Sequence, residues 1–234
     1  MDSGRITDDR FGMANVARRI ATAAPDLALA GVYLWCWIEP LAWRKTLVAD
    51  LMLVMLVEFL VVHSGPFLGV LVMGDDSSVS RATRLKMLLG LGAVYLLFAG
   101  GMSAAFDTWG PVLVFVWLIG AKLYAILLGR APDGAEQTRQ MALWALSVLF
   151  YLAAVFASVL LPLPEFGVTG HGHDYGVPGE GEWVSHPNTV IAAGLLYFGA
   201  LASVKLLEGG AWSRRLWRRV AESQSRRSSS AASR

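Results

Sequence analysis

A single cysteine, Cys36, stands among 234 residues, which excludes a disulfide framework or a multi-cysteine metal site built within one chain. Charge is scarce as well: Asp, Glu, Lys and Arg make up only 16% of the chain, while 55% is hydrophobic and the mean hydropathy is +0.50. A water-soluble domain carries roughly 25% charged residues, so this composition argues against one. G-x-S-x-G, H-E-x-x-H, a phosphate-binding G-x-x-x-x-G-K-S/T and CxxC are all absent. Serine hydrolase, zincin, P-loop and thiol-redox readings therefore lack the residues their chemistry needs. The opening "MDSGRITDDRFG" is charged and has no apolar stretch, so no cleavable signal peptide is expected. Only one histidine, His63, falls inside an apolar run, which argues against a bis-histidine haem within one subunit.

What is present is a series of apolar runs near the roughly 20 residues that a helix needs to cross about 30 Å of hydrocarbon. Six spans are predicted: Leu27 to Trp43, Thr46 to Met73, Met87 to Phe106, Pro111 to Leu128, Met141 to Leu163 and Val190 to Leu207. The expected fold is an all-α, polytopic transmembrane helix bundle. The expected division is a cytoplasmic N-terminal segment 1–24, a six-span domain 25–208 with an outer loop 164–188, a basic interfacial helix 209–222 and a low-complexity, disordered tail 223–234. Glu39 and Pro40 interrupt the first span, and only Arg44 and Lys45 separate it from the second. A tight helical hairpin and a half-inserted first segment are both open at this level. No repeat relates the first three spans to the last three, so an inverted-repeat transporter has no support.

Orientation follows local Lys and Arg. With the N-terminus inside, 17 of the 20 basic residues fall on the inner side and only Arg44 and Lys45 outside. The expected topology is N-in, C-in in a bacterial inner membrane, and an even span count agrees with it. Trp43, Trp109 and Trp183 then approach the outer interface and Trp144 and Trp212 the inner one, as amphipathic rings do. In "AWSRRLWRRVAESQ", Arg214, Arg215, Arg218 and Arg219 surround Trp212, Leu216 and Val220 at helical spacing. That pattern suits an interfacial anchor on anionic lipid, and no nucleic-acid partner is expected.

Two groups of residues could carry chemistry. The outer loop, "PEFGVTGHGHDYGVPGEGEWVSHPN", has three of the four histidines, four carboxylates and no Lys or Arg. In extended backbone His171 and His173 project to one side, and Asp174 or His186 could join them around a divalent metal. The six glycines of the loop equally suit a solvated connector. The second group lies within the spans: Glu58, His63 and Lys122, with Glu39 and Asp50 nearer the surface. Ionisable groups in hydrocarbon are costly and normally turn inward and pair. Glu58 and His63, five residues apart, diverge by about 140° on a straight helix. Pro66 cannot donate to the Val62 carbonyl, so a kink and a freed backbone oxygen are expected there. An intramembrane polar pocket of Glu58, His63 and Lys122 is the expectation, with Glu58 partnered by Lys122 or His63; interhelical glue is the alternative.

The segments "APDLALAGVYLW", "LVEFLVVHSG" and "WVSHPNTVIAAGLLYFGAL" resemble an uncharacterised bacterial family of small multi-pass membrane proteins. The resemblance implies an integral membrane protein of unknown function and carries over no catalytic residue. The functional readings left by the residues are binding or conduction of a proton, cation or small polar solute, a metal-dependent membrane enzyme, and a non-catalytic accessory or scaffold subunit. Oligomeric state is not legible.

Overall fold

The computed structural model describes residues 3–73, 80–128, 134–169 and 174–207. Among them are seven helices: α1 (Ser3–Ile38), α2 (Leu47–Met73), α3 (Arg81–Ala105), α4 (Gly110–Leu128), α5 (Gly134–Leu160), the single turn α6 (Glu182–Ser185) and α7 (Pro187–Leu207). Six of these contain stretches long and apolar enough to cross a bilayer, at Arg19–Ile38, Leu47–Leu68, Ala82–Ala105, Gly110–Leu128, Gln140–Leu160 and Pro187–Leu207. The chain is thus all-α and polytopic, as its apolar runs predict.

The first span differs from its expected bounds. It ends at Ile38 rather than Trp43, and its apolar stretch begins at Arg19 rather than Leu27. Pro40 supplies the reason for the early stop, because it has no N–H and disfavours helical backbone at the residue before it. Only a short turn separates the two helices: the Ala42 amide bonds the Glu39 carbonyl at 3.2 Å and the Leu47 amide bonds that of Arg44 at 3.2 Å. Arg44 then pairs with Asp50 at 3.0 Å across the start of α2, while the Thr46 hydroxyl lies 3.2 Å from the same carboxylate. The first segment is therefore long enough for a full span, and Asp50 is a surface group closing a tight hairpin.

Two compact units divide the chain, one of residues 30–197 and one of 1–29 with 198–234. Within the larger unit, α3, α4 and α5 each pack on α2, and α3 also packs on α4. Leu60, Tyr95, Ala99 and Phe115 form one buried cluster, and Leu68, Leu88 and Ile126 a second toward the other end of α2. Gly92 lets α3 approach α4 closely, since a Cβ there would meet Ile119 Cδ1 at 2.9 Å. Ser80 caps α3, its hydroxyl accepting from the Thr83 amide at 3.2 Å and satisfying one of the orphan donors of the first turn. In the smaller unit, the Lys205 ammonium donates to the Asp26 carboxylate at 2.5 Å. Asp26 is 7% exposed, so its charge is stabilised by this partner rather than by water.

The start of the outer loop is held by apolar and backbone contacts. Trp37 Nε1 donates to the Pro164 carbonyl at 3.0 Å, and the Gly167 amide donates to the Trp37 carbonyl at 3.0 Å. The Phe166 ring meets Trp37 edge-on with centroids 5.2 Å apart, and Val168 and Tyr175 are buried. Gly167 is required by closeness, because a Cβ would overlap the Ile38 carbonyl.

Candidate intramembrane site on helix α2

Four acceptors on α2 line up on one side. At 100° per residue, Leu51, Met55, Glu58 and Val62 fall within about 60° of arc. Each receives a hydrogen bond from an aromatic side chain of another helix. Tyr33 of α1 donates its hydroxyl to the Leu51 carbonyl at 2.7 Å, and Tyr151 of α5 donates to the Met55 carbonyl at 3.0 Å. Tyr197 of α7 donates to Glu58 Oε1 at 2.6 Å. Trp144 of α5 donates its indole N–H to the Val62 carbonyl at 2.7 Å.

The Val62 bond has a local cause. Pro66 lies four residues on, inside α2, and offers no amide hydrogen to that carbonyl. Trp144 supplies the missing donor. The indole lies over Gly65, with Trp144 Cδ1 at ordinary contact distance, 3.5 Å, from the position a Cβ would take. Tyr33 makes a much closer approach at Gly194 of α7, where a Cβ would overlap its ring.

Glu58 lies 11 residues from the start of α2, about 16 Å along it and near the middle of its apolar stretch. The Tyr151 and Tyr197 rings pack edge-on with centroids 5.4 Å apart. The Glu58 carboxyl group is thus held by Tyr197, whose ring is braced by Tyr151. At 2.6 Å the contact is at the short end of O–H···O hydrogen bonds.

His63 lies on another face of α2. Its ring stacks on Phe59 at 5.8 Å and 14°, approaches Phe67 at 5.6 Å, and meets Tyr95 of α3 edge-on at 6.4 Å. Lys122 is partly buried on α4. Among the described residues no hydrogen bond or ion pair joins His63 or Lys122 to Glu58. The partner that the structure gives Glu58 is Tyr197, which lies outside the set of ionisable groups that the sequence singles out. The available signal was position: tyrosine favours the membrane interface, and one in mid-span needs a hydrogen-bond partner. Asp26 was missed for a different reason, because Pro25 beside it reads as a boundary.

Of the four outer-loop residues proposed as metal ligands, His171 and His173 lie outside the described residues. Asp174 accepts from the Gly176 amide at 2.9 Å in a local turn, and His186 Nδ1 pairs with Glu182 at 3.1 Å. Among the described residues no group of three or more His, Cys, Asp or Glu side chains could hold a metal ion. The basic anchor Arg214, Arg215, Arg218 and Arg219 also lies outside the described residues. Cys36 is buried and free.

Six apolar spans and a carboxylate held by tyrosine in mid-span describe an integral membrane protein. No family model, curated protein or solved structure matches the chain.

Proposed function

We propose that the chain binds a proton, a small cation or a small polar solute at Glu58, within a bacterial inner membrane and with both termini in the cytoplasm. The observation that supports this reading is the Tyr197 to Glu58 hydrogen bond, midway along α2. Holding a carboxylate at that depth is costly, and such groups commonly mark ion or proton pathways. A phenol is an adaptable partner for an exchanging acid. It donates to the carboxylate and can accept from the carboxylic acid, so the contact survives both protonation states. On the cytoplasmic side, Arg214, Arg215, Arg218 and Arg219 would meet anionic headgroups.

The test is infrared difference spectroscopy of the full chain in proteoliposomes across a pH step, together with dye-reported proton or cation flux. A carboxyl C=O band that disappears in Glu58→Gln and moves in Tyr197→Phe is expected. Spectra that do not change with Glu58→Gln, together with no flux above empty liposomes, would return Glu58 to the role of interhelical glue.

A further inference from the structure

Asp26 is buried to all but 7% and lies seven residues, about 10 Å, inside the apolar stretch that starts at Arg19. Among the described residues its one partner is the Lys205 ammonium, at Oδ2. The two ends of this pair differ. The Asp26 side chain is 10% exposed and that of Lys205 34%, so the carboxylate is fixed within protein while the ammonium sits on a flexible stem, two residues from the end of α7. An ionised carboxylate can accept about four hydrogen bonds. Oδ1 accepts none among the described residues, yet it is not sealed, because Ser103 Oγ is the one fully buried side-chain polar atom without a partner among them.

The turn of α1 before Asp26 is rich in acceptors and short of donors. Pro25 offers no amide hydrogen to the Ala21 carbonyl, and among the described residues no side chain answers it, in contrast to Trp144 at Val62. Thr22 stands four residues before Asp26 and therefore on the same side of α1; it donates its hydroxyl to the Arg19 carbonyl and keeps its own lone pairs. Ala21 and Thr22 are both exposed. A carboxylate oxygen, a hydroxyl and a helix carbonyl freed by a proline are oxygen ligands of the kind that hold alkali ions in interrupted membrane helices, and water at the exposed turn would complete the shell. Charge fixes the class of ion. One carboxylate balances one positive charge, which Lys205 now supplies, whereas a divalent ion would leave a charge uncompensated where water is scarce.

We propose that Asp26 is an exchange site for a small monovalent metal cation of the sodium class, with Lys205 as the tethered ion that the cation displaces. The proposal does not rest on the reading of Glu58, which belongs to the larger unit. The experiment acylates the detergent-solubilised full chain with acetic anhydride at fixed pH, in sodium chloride or in choline chloride of equal ionic strength, and follows Lys205 by mass spectrometry. Sodium, but not the bulkier choline, should speed Lys205 acylation saturably, by about fivefold or more, the factor that one lost ion pair of this exposure represents. The exposed Lys45 and Lys86 serve as references and should react equally in both salts. Lys205→Met keeps the stem and removes the competitor, so a sodium-dependent rise in melting temperature should set in at lower sodium than in the wild type. In Asp26→Asn, Lys205 should be equally reactive in both salts. Acylation of Lys205 no faster in sodium than in choline, a sodium-specific acceleration that persists in Asp26→Asn, or a sodium response unchanged in Lys205→Met would overturn the proposal and leave the pair a structural clamp. The first and third of these readings do not require Asp26→Asn to fold.

Discussion

Removing the Trp144 indole N–H should cost stability only while residue 66 is proline. Trp144→Phe keeps a ring against Gly65 but deletes the 2.7 Å bond to the Val62 carbonyl. With Pro66 in place that carbonyl has no helical donor, so the loss combines two parts. One is the bond itself, about 0.6 kcal/mol on average between membrane helices and up to about 1.7. The other is an orphaned carbonyl in a low-dielectric site, about 1 to 3 kcal/mol. With the lower figure of each the total is about 1.6 kcal/mol. In a Pro66→Ala background the amide restored at that position reaches Val62, and Trp144→Phe should then cost only its packing difference, about 0.5 to 1 kcal/mol. Because that packing difference is common to both backgrounds it cancels in the double-mutant cycle, leaving a coupling of about 1 kcal/mol or more. Reversible unfolding in mixed micelles, titrated with a denaturing detergent, measures all four variants. A coupling below about 0.3 kcal/mol, the ordinary scatter of additivity, would refute the claim that Trp144 stands in for the missing proline donor.

Two further comparisons use the same titration. Gly194→Ala places a methyl into the Tyr33 ring, which is tethered by its hydroxyl to Leu51, so a loss of about 1 to 3 kcal/mol from overpacking is expected. Gly65→Ala brings its methyl only to 3.5 Å from Trp144 Cδ1 and should be neutral or stabilising by up to about 1 kcal/mol through helix propensity; the reverse order would discredit both packing assignments. Asp26→Asn leaves Lys205 without its carboxylate, and because Lys205 is about one-third exposed the expected loss is about 1 to 2 kcal/mol rather than that of a fully buried pair. Lys205→Gln added to Asp26→Asn should recover part of that loss, and no recovery would mean the pair is not coupled.

The spans were legible because a bilayer imposes a length, and an apolar run near that length has few other uses in so charge-poor a chain. The first span shows where that reading fails. Pro25 and Asp26 look like a boundary, since one lacks a helical donor and the other carries charge. The helix nevertheless runs through both, and Lys205 neutralises Asp26 from 179 residues away in sequence. No window-based pattern holds a partner that distant. The outer loop fails in the same manner: six glycines suggest a free connector, whereas Trp37, 127 residues upstream of Pro164, bonds and packs its first turn. In both cases composition gives local tendency, and the decisive contact is long-range.

Helix α2 separates these contributions most clearly. Backbone chemistry alone locates the freed Val62 carbonyl, because Pro66 cannot do otherwise. It does not reveal which side chain answers, since Trp144 reads equally well as an interfacial anchor. Helical rotation alone implies that Glu58 and His63 diverge, and their neighbours differ accordingly: Tyr197 for the carboxylate, Phe59, Phe67 and Tyr95 for the imidazole. A proline kink redirects the helix axis and does not turn one side chain about that axis toward another, so the angular separation of Glu58 and His63 is set by their spacing of five residues. Once Trp144 takes up that lost bond, the drive to distort the helix further is reduced. The two faces therefore keep separate neighbours, one a stripe of acceptors tied to α1, α5 and α7, the other an aromatic surface beside α3 and α5.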